Sequence, residues 1–436
     1  MTDGPPGRYL LISPYFPPMS RIGAKRALQF CRNLPEFGWE PVVLAAPPRD
    51  GHVDPLLMEA LPPGTIVSRG YAGTLRSFMH RALRFRSLPF EEVPRGKATR
   101  LRERRIFGQD VGFLTPLDQY VYDLPAAVRE GVALVRRHGL RAIQVSADPW
   151  SGFLTGWLVR RITGLPLVLD LRDPWSLAAE KMALRPPPTR AAVRWLEHAA
   201  FERASRIVLN NENACEAYRA AYRGRIPESR FTFVRNAFDP GLFSPSDAAL
   251  PREFRLLYFG RFQRFVRPHV LLRAFRRFVD REALAPSDAR LSFAGGLRPA
   301  DKAPIAQLGL EDRVDYVGYV PYREGLGALR RAHVLCLIVP PACELQIPGK
   351  FYDYLAARRP ILALSANTEV DRIVAETGSG LSAPYADEEG AAARLGELYG
   401  RYRRGESFEL DAGAVEAYSA REQARAFAAI LDDVTS

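Results

Sequence analysis

Residues Glu344–Leu355, ELQIPGKFYDYL, combine residue types and spacing suited to holding an anion. A strand-like run, HVLCLIV, ends just before them, and Pro348-Gly349-Lys350 opens a helix after a Pro-rich loop. Proline suits the first helical turn because its missing N–H would have no partner there. Gly349 leaves the backbone bare. Free N–H groups and the positive helix end could then hold a phosphate, with Lys350 adding a point charge. Asp353 falls three residues on, on the same face, where a carboxylate could accept hydrogen bonds from both hydroxyls of a ribose. A surface Lys–Asp pair at an ordinarily capped helix, worth about 0.2–0.5 kcal/mol, would leave the same pattern.

Two segments add cations and bare backbone. In Phe259–Pro268, FGRFQRFVRP, Gly260-Arg261 follows a strand, and Arg264 and Arg267 come soon after. Guanidinium forks match phosphate oxygens in geometry. Gly295-Gly296 follows another strand and allows close approach to the backbone, as an ordinary turn also would. In the first half, Tyr15–Arg26 (YFPPMSRIGAKR) leaves the first strand and enters a helix, with Gly23 at the turn and Lys25 and Arg26 in the first helical turn. It lacks the GxGxxG spacing of dinucleotide sites. Asp170–Trp175, DLRDPW, ends a later strand, with Asp170 and Arg172 on one side and Asp173 on the other; a strand-end ion pair stopped by Pro174 is the plainer reading. Ser146–Trp150, SADPW, ends the strand before it. No short internal repeat or low-complexity segment is expected.

Other chemistries are excluded. Cys31, Cys215, Cys336 and Cys343 form no CxxC pair, and no histidines repeat at i, i+4, so no metal site is expected. The residues read as small buried hydrophobes of a reducing compartment. Only five of the 61 basic residues are lysine, which makes each lysine more informative.

These segments sit on alternating elements. Strands are expected at Arg8–Ser13, Pro41–Ala46, Arg141–Val145, Pro166–Asp170, Ser205–Asn210 and Phe231–Arg235. Helices are expected near Gly23–Phe37, Gly152–Ile162, Arg190–Arg203 and Glu212–Tyr222. Asp239–Glu253, with three prolines and no apolar period, reads as a linker. The alternation restarts with strands at Phe254–Phe259, Arg290–Ala294, Arg313–Val317, His333–Val339 and Pro360–Leu364. Helices follow at His269–Asp280, Arg323–Arg331, Gly349–Ala357, Glu369–Glu376 and Glu388–Arg401, with a helical tail at Ala414–Leu431. Strands apolar on both faces, alternating with helices, predict parallel sheets covered on both sides. The fold class expected is α/β, with two Rossmann-like, doubly wound domains facing across a cleft. Their bounds are 1–240, with a basic insertion at about 50–108, and 253–413; residues 414–436 form a helix crossing back to the first domain. For 436 residues, two or three domains are the ordinary number.

With 47% apolar and 25% charged residues the chain is not mostly disordered, and no stretch approaches the ~20 apolar residues that span a bilayer. Met1–Gly7 lacks the charged-then-apolar order of a signal peptide, which predicts a cytoplasmic protein. The net charge is +12. Between Arg76 and Arg105 ten basic residues oppose Glu91, Glu92 and Glu103. Such a patch suits an anionic membrane or nucleic acid, or is simply a solvated face. Phe78, Phe85 and Phe90 could dip into a membrane interface.

Taken in order, these segments resemble glycosyltransferase family 4, in the subgroup with a DxRDPW-type motif. The similar runs are LLISPYFPPMSRIGAKRALQFCRNLPEFGWEPVVL, VLDLRDPWS, VRNAFDP, YFGRF…VRP and IPGKFYDYLAARRPILAL. They cover nearly the whole chain outside about Asp50–Gly108. The resemblance implies a GT-B fold with the acceptor in the N-terminal half and the nucleotide sugar in the C-terminal half. Carried over by position, Arg261 and Lys350 with Gly349 and Gly295 would bind the donor diphosphate. Arg267 would stand where a lysine is usual, and Asp353 would bind the ribose. The backbone around Gly318–Val320, with Tyr319, would meet the base. Gly23 and Arg26 would lie in a loop closing over the phosphates. Arg172 would occupy the strand-end place of a catalytic histidine, with Asp173 beside it. Glu344 and Asp353 are nine positions apart where the family's pair is eight apart, and Asn236-Ala237 replaces the usual Asn-Gly turn.

The activity implied is retaining, metal-independent transfer of a sugar from a nucleoside-diphosphate sugar to a hydroxyl acceptor, in surface polysaccharide or glycolipid synthesis. No cofactor is expected. The acceptor could be lipid-linked, the protein peripheral on the inner membrane face, and nucleic acid is not the expected partner. The rivals are a nucleotide-sugar epimerase or hydrolase of the same architecture, and a non-catalytic basic membrane- or RNA-binding protein.

Overall fold

The computed structural model describes residues 6–19, 22–48, 54, 56–71, 105–106, 109–110, 115–243, 250–262, 265–297, 299–320 and 322–436. Almost all of the basic segment Arg76–Arg105, with Phe78, Phe85 and Phe90, lies outside them, as do Arg264 and residues 244–249 of the linker. The chain divides into two compact units, Met1–Arg235 with Gln423–Ser436, and Asn236–Glu422.

The first unit is built on seven strands: β1 (Gly7–Ile12), β2 (Trp39–Leu44), β3 (Val67–Ser68), β6 (Ala142–Ala147), β7 (Leu167–Leu171), β8 (Arg206–Leu209) and β9 (Phe231–Phe233). A separate short hairpin pairs β4 (Arg105–Ile106) with β5 (Gln109–Asp110). The main sheet runs β3-β2-β1-β6-β7-β8-β9 with every pair parallel. Strands β6 and β7 pair from Ile143↔Leu167 to Ala147↔Leu171, so both end at the same level, where ligands of open parallel sheets collect. The C-terminal residues Ala424, Phe427, Ala428 and Leu431 pack in one core with Tyr9, Leu11, Phe30 and Val43. Trp39 Nε1 donates to Asp432 at 2.9 Å, and Arg206 pairs with Asp433.

The second unit has six parallel strands in the order β12-β11-β10-β13-β14-β15. They are β10 (Phe254–Phe259), β11 (Ala289–Ala294), β12 (Val314–Gly318), β13 (Val334–Val339), β14 (Ile361–Ser365) and β15 (Gly380–Pro384). Period-two alternation divides two cores. Phe254, Leu256 and Tyr258 join helices His269–Arg281 and Glu388–Arg403 on one face, while Leu257 and Phe259 join helix Gly349–Ala357 on the other.

Some elements differ from expectation. The first helix runs Ile22–Asn33, and Leu34–Phe37 continue as a 3₁₀ turn around Pro35, which cannot donate to an α-helical ladder. The tail divides into Ala412–Glu416 and Ala420–Thr435. Its return to the first unit begins at Gln423 rather than at residue 414, because Val415 and Tyr418 are buried in the second unit's core and Ser419 bridges to Phe238. Helices Leu124–His138 and Pro299–Gln307 and strands β3 and β15 were not foreseen; two prolines in the 299–307 helix and the Gly/Pro ends of β15 argue against the elements they join.

Candidate active site

In the second unit, the carboxyl ends of β10 and β11 meet the start of helix Gly349–Ala357. Gly260 has φ +111° and Gly295 has φ +151°, both closed to ordinary L residues. A Cβ on Gly295 would collide with the Gly260 carbonyl and reach the Arg261 amide at 3.2 Å. One on Gly260 would stand 3.1 Å from Lys350 Nζ. The two glycines therefore bring Arg261, Gly295 and Lys350 around one point. Arg261 is exposed, and its Cγ lies against Gly296. Pro348, at the helix N-cap, supplies no side-chain hydrogen bond to the first-turn amides, and its carbonyl accepts from the Phe351 amide at 2.9 Å. Lys350 Nζ sits 3.8 Å above the Tyr258 ring. Part of the side chain stays in contact with water, yet loss of hydration lowers its pKa to about 7, with Asp353 partly restoring it. A cation so under-solvated is ready to gain from an incoming anion.

Asp353 lies on the same helix and accepts from Tyr322 Oη at 2.7 Å. Burial, then the Asp353 charge, holds the Tyr322 phenol protonated. Arg267 is instead tied to the fully buried Asp301 at 3.0 Å, so its charge is already compensated. Tyr319 follows a left-handed Gly318 and is 87% exposed. Glu344 is exposed, and its carbonyl accepts from Asn367. Replacing Gly295 by alanine would force β10 and β11 apart at this point. The expected result is at least tenfold weaker binding of a nucleoside diphosphate, read by calorimetry, with the tryptophan-reported unfolding of the first unit unchanged.

In the first unit Arg26 does not face outward. Its Nε and one terminal nitrogen grip both oxygens of Asp170 at 3.0 and 2.8 Å, and it also donates to the carbonyls of Val234 and Arg235. Arg26 is 3% exposed and Asp170 fully buried, which corrects the reading of Arg26 as a phosphate-loop residue. The bidentate pair locks the first helix to β7 and to the segment after β9. Gly23, on that helix, packs directly against the Arg172 guanidinium, where any Cβ would collide.

Arg172 is 7% exposed and bonds the Asp148 carboxylate at 2.7 Å, while its Nε finds no partner among the described residues. Asp173 keeps 41% of its side-chain surface in water, with Lys181 Nζ 3.9 Å away. Packed protein raises its carboxyl above the ordinary range, Lys181 opposes that shift, and Asp148 adds to it.

The expectation of no short repeat is also corrected. Asp148–Ser151 and Asp173–Ser176 both read DPWS, one at the end of β6 and the other, one residue later in register, at the end of β7. Trp150 and Trp175 stack with centroids 4.7 Å apart and planes 3° from parallel. Each serine is held through its amide and hydroxyl by one carboxylate. For Ser151 this is Asp118, at 2.9 Å from the amide and 2.6 Å from the hydroxyl. For Ser176 it is Glu197, which also accepts from Tyr218 and Tyr222. Burial raises both carboxyls, and these hydrogen bonds pull them back. Asp118, Asp148 and Glu197 were missed as positioning groups; the doubled tetrapeptide was the visible signal for Asp148.

A family model described as a glycosyl transferase 4-like domain matches residues 23–237, a span that includes both DPWS turns. Curated relatives match shorter stretches. D-inositol 3-phosphate glycosyltransferase 1 of Catenulispora acidiphila is 32% identical over 166 residues, 35% of this chain and 38% of that protein. D-inositol 3-phosphate glycosyltransferase of Corynebacterium glutamicum is 24% identical over 299 residues, 63% of this chain and 69% of that one. The chain thus spans about two fifths of the first such relatives. Among solved structures, sucrose-phosphate synthase of Thermosynechococcus elongatus superposes with a TM-score of 0.59 at 18% identity, covering 98% of this chain and 96% of that one. HepE of Anabaena in complex with UDP superposes with a TM-score of 0.56 at 14% identity, covering 98% and 97%. The two parallel-sheet units, the first holding the stretch similar to a glycosyl transferase 4-like domain, have the GT-B fold.

Proposed function

We propose that this protein is a glycosyltransferase that moves a sugar from a nucleoside-diphosphate sugar to a hydroxyl acceptor, with retention of configuration and without a metal. The observation that carries the reading is the cluster of Arg261, Gly295 and Lys350 around a helix start whose N-cap, Pro348, gives no side-chain hydrogen bond. Bond breaking leaves a diphosphate that gains negative charge. Two cations and oriented amides stabilise that charge without reorganising. Asp353, one turn along, is placed for the ribose hydroxyls. The UDP seen with the HepE neighbour supports a uridine nucleotide as the first choice. The first unit would take the acceptor, with Arg172 and Asp173 at the end of β7 as the groups nearest its hydroxyl. A raised Asp173 carboxyl is suited to exchanging a proton with that hydroxyl. We place the chain in the DxRDPW subgroup and, as the finer part of the proposal, in surface polysaccharide or glycolipid synthesis, in the cytoplasm against an inner membrane. No helix among the described residues is long and apolar enough to cross a membrane.

Thermal unfolding with UDP, GDP, dTDP and their sugars tests the donor. A ligand at a hundred times its Kd stabilises by about 2.7 kcal/mol, a readily seen shift. Turnover of the matching sugar nucleotide is expected only with an acceptor present and undiminished by EDTA. Rapid turnover with no acceptor would favour the epimerase or hydrolase reading, and loss of turnover in EDTA would remove the metal-free mechanism.

A further inference from the structure

Four of the five tryptophans line one cavity of the first unit, Trp150, Trp157, Trp175 and Trp195. It lies between helices Ser151–Thr163 and Pro187–Glu202, has a volume of about 190 Å³, and is completed by apolar side chains such as Phe153 and Leu196, with Arg203 as the one charged residue among the described lining. Arg203 is already engaged, stacked over the Trp157 ring at 5.2 Å and bonded to the Ala199 carbonyl. The walls are therefore hydrocarbon and indole.

Two observations say what the space receives. First, its size: an apolar cavity of about 150 Å³ stays dry and takes up benzene, so 190 Å³ suits a ring or a chain of about seven or eight carbons. Second, its position: Trp150 and Trp175 each stand two residues beyond Asp148 and Asp173, whose carboxylates are 47% and 41% exposed. The stacked indoles are a wall with the apolar space on one side and the charged strand ends next to them in the chain. Trp195, 68% exposed, stands at the rim.

We infer that this cavity holds the apolar part of an amphipathic hydroxyl acceptor, its hydroxyl end directed to Asp148 and Asp173. The word acceptor rests on the transferase reading; the cavity's preference for such a molecule does not. The paired DPWS turns then have one purpose, to set a hydrocarbon seat next to carboxylates that can orient a hydroxyl.

The test uses the full chain and a series of primary n-alcohols from ethanol to decanol, read by tryptophan fluorescence. Saturable changes are expected, with Kd falling about fourfold per added methylene. The trend should level off near seven or eight carbons, where the cavity is full. Ala200→Phe, which fills the space, should weaken heptanol binding at least tenfold and leave UDP affinity unchanged; Ala199→Leu is the milder filling variant if Ala200→Phe folds poorly. No saturable response at any chain length, or equal binding by the filled variants, would overturn the inference. So would loss of self-association or of vesicle binding in Ala200→Phe with alcohols silent, since a second copy or a membrane would then be the occupant. Alcohol binding with no response to any nucleotide would uphold the cavity and overturn the transferase reading instead.

Discussion

Lys350→Met is expected to lower kcat by about 10²–10³, the ordinary result of removing one preorganised group that meets developing charge. The ammonium is the least hydrated cation of the cluster, close over Tyr258, and methionine preserves its volume without its charge. The pH dependence has a defined sign. Lys350 loses its proton at about 7 in the folded chain, whereas an unfolded lysine keeps it to 10.5. Diphosphate affinity, which needs the charged form, should therefore be fullest below pH 7 and fall by up to tenfold per unit above it, until the pKa of the complex is reached. Lys350→Arg, charged throughout, should give a flat profile. Stability runs the other way. Between pH 7 and 10.5 the unfolded state binds more protons, so this residue's contribution rises with pH through that window. Lys350→Met should accordingly unfold at a higher temperature than the parent at pH 6, which would mark the lysine as a group kept for binding at a cost to stability. Calorimetric titration of UDP at pH 6, 7 and 8, with thermal scans of both variants, reads every part of this.

Arg26→Met is expected to destabilise the first unit by about 3–5 kcal/mol, since it strands a carboxylate of zero exposure. Gln144 Nε2, 3.2 Å from Asp170, would remain as a neutral donor and cannot replace the ion. The double variant Arg26→Met with Asp170→Leu should recover most of that loss, because a buried pair exchanged for apolar groups of similar size is often neutral or better. Denaturant unfolding followed by tryptophan fluorescence measures both. If Arg26 instead served phosphate, the single variant would keep its stability and lose nucleotide affinity, and the double variant would recover nothing.

How far such roles could be read from the chain depended on distance along it. Lys350, Gly349 and Asp353 announce themselves within a few positions, because a helix start and one helix face are local matters. Gly295 and Arg261 were recognisable as strand-end residues, but that they flank one point follows from β10 and β11 being neighbours, a fact of sheet order. Arg26 was misjudged since its partner lies 144 residues away and nothing near it is acidic. The partner of Arg267 was equally hidden, because the buried Asp301 stands 34 residues on in a helix between two prolines. The repeated DPWS was plain in the sequence, yet its meaning needed the in-register ends of β6 and β7. The strands of both sheets, β3 and β15 apart, were legible within a residue or two because short runs apolar on both faces have few other uses than a covered parallel sheet.

The return of Gln423–Ser436 to the first unit also orders the events of synthesis. The surface formed by Tyr9, Leu11, Phe30 and Val43 is made early, and Phe427 and Leu431, which seal it, are translated nearly four hundred residues afterwards. The second unit, contiguous in the chain, has all of its residues before then. The later-encoded body thus has all its residues before the earlier one can close, and until Phe427 and Leu431 emerge the apolar surface they cover has no cover from its own chain.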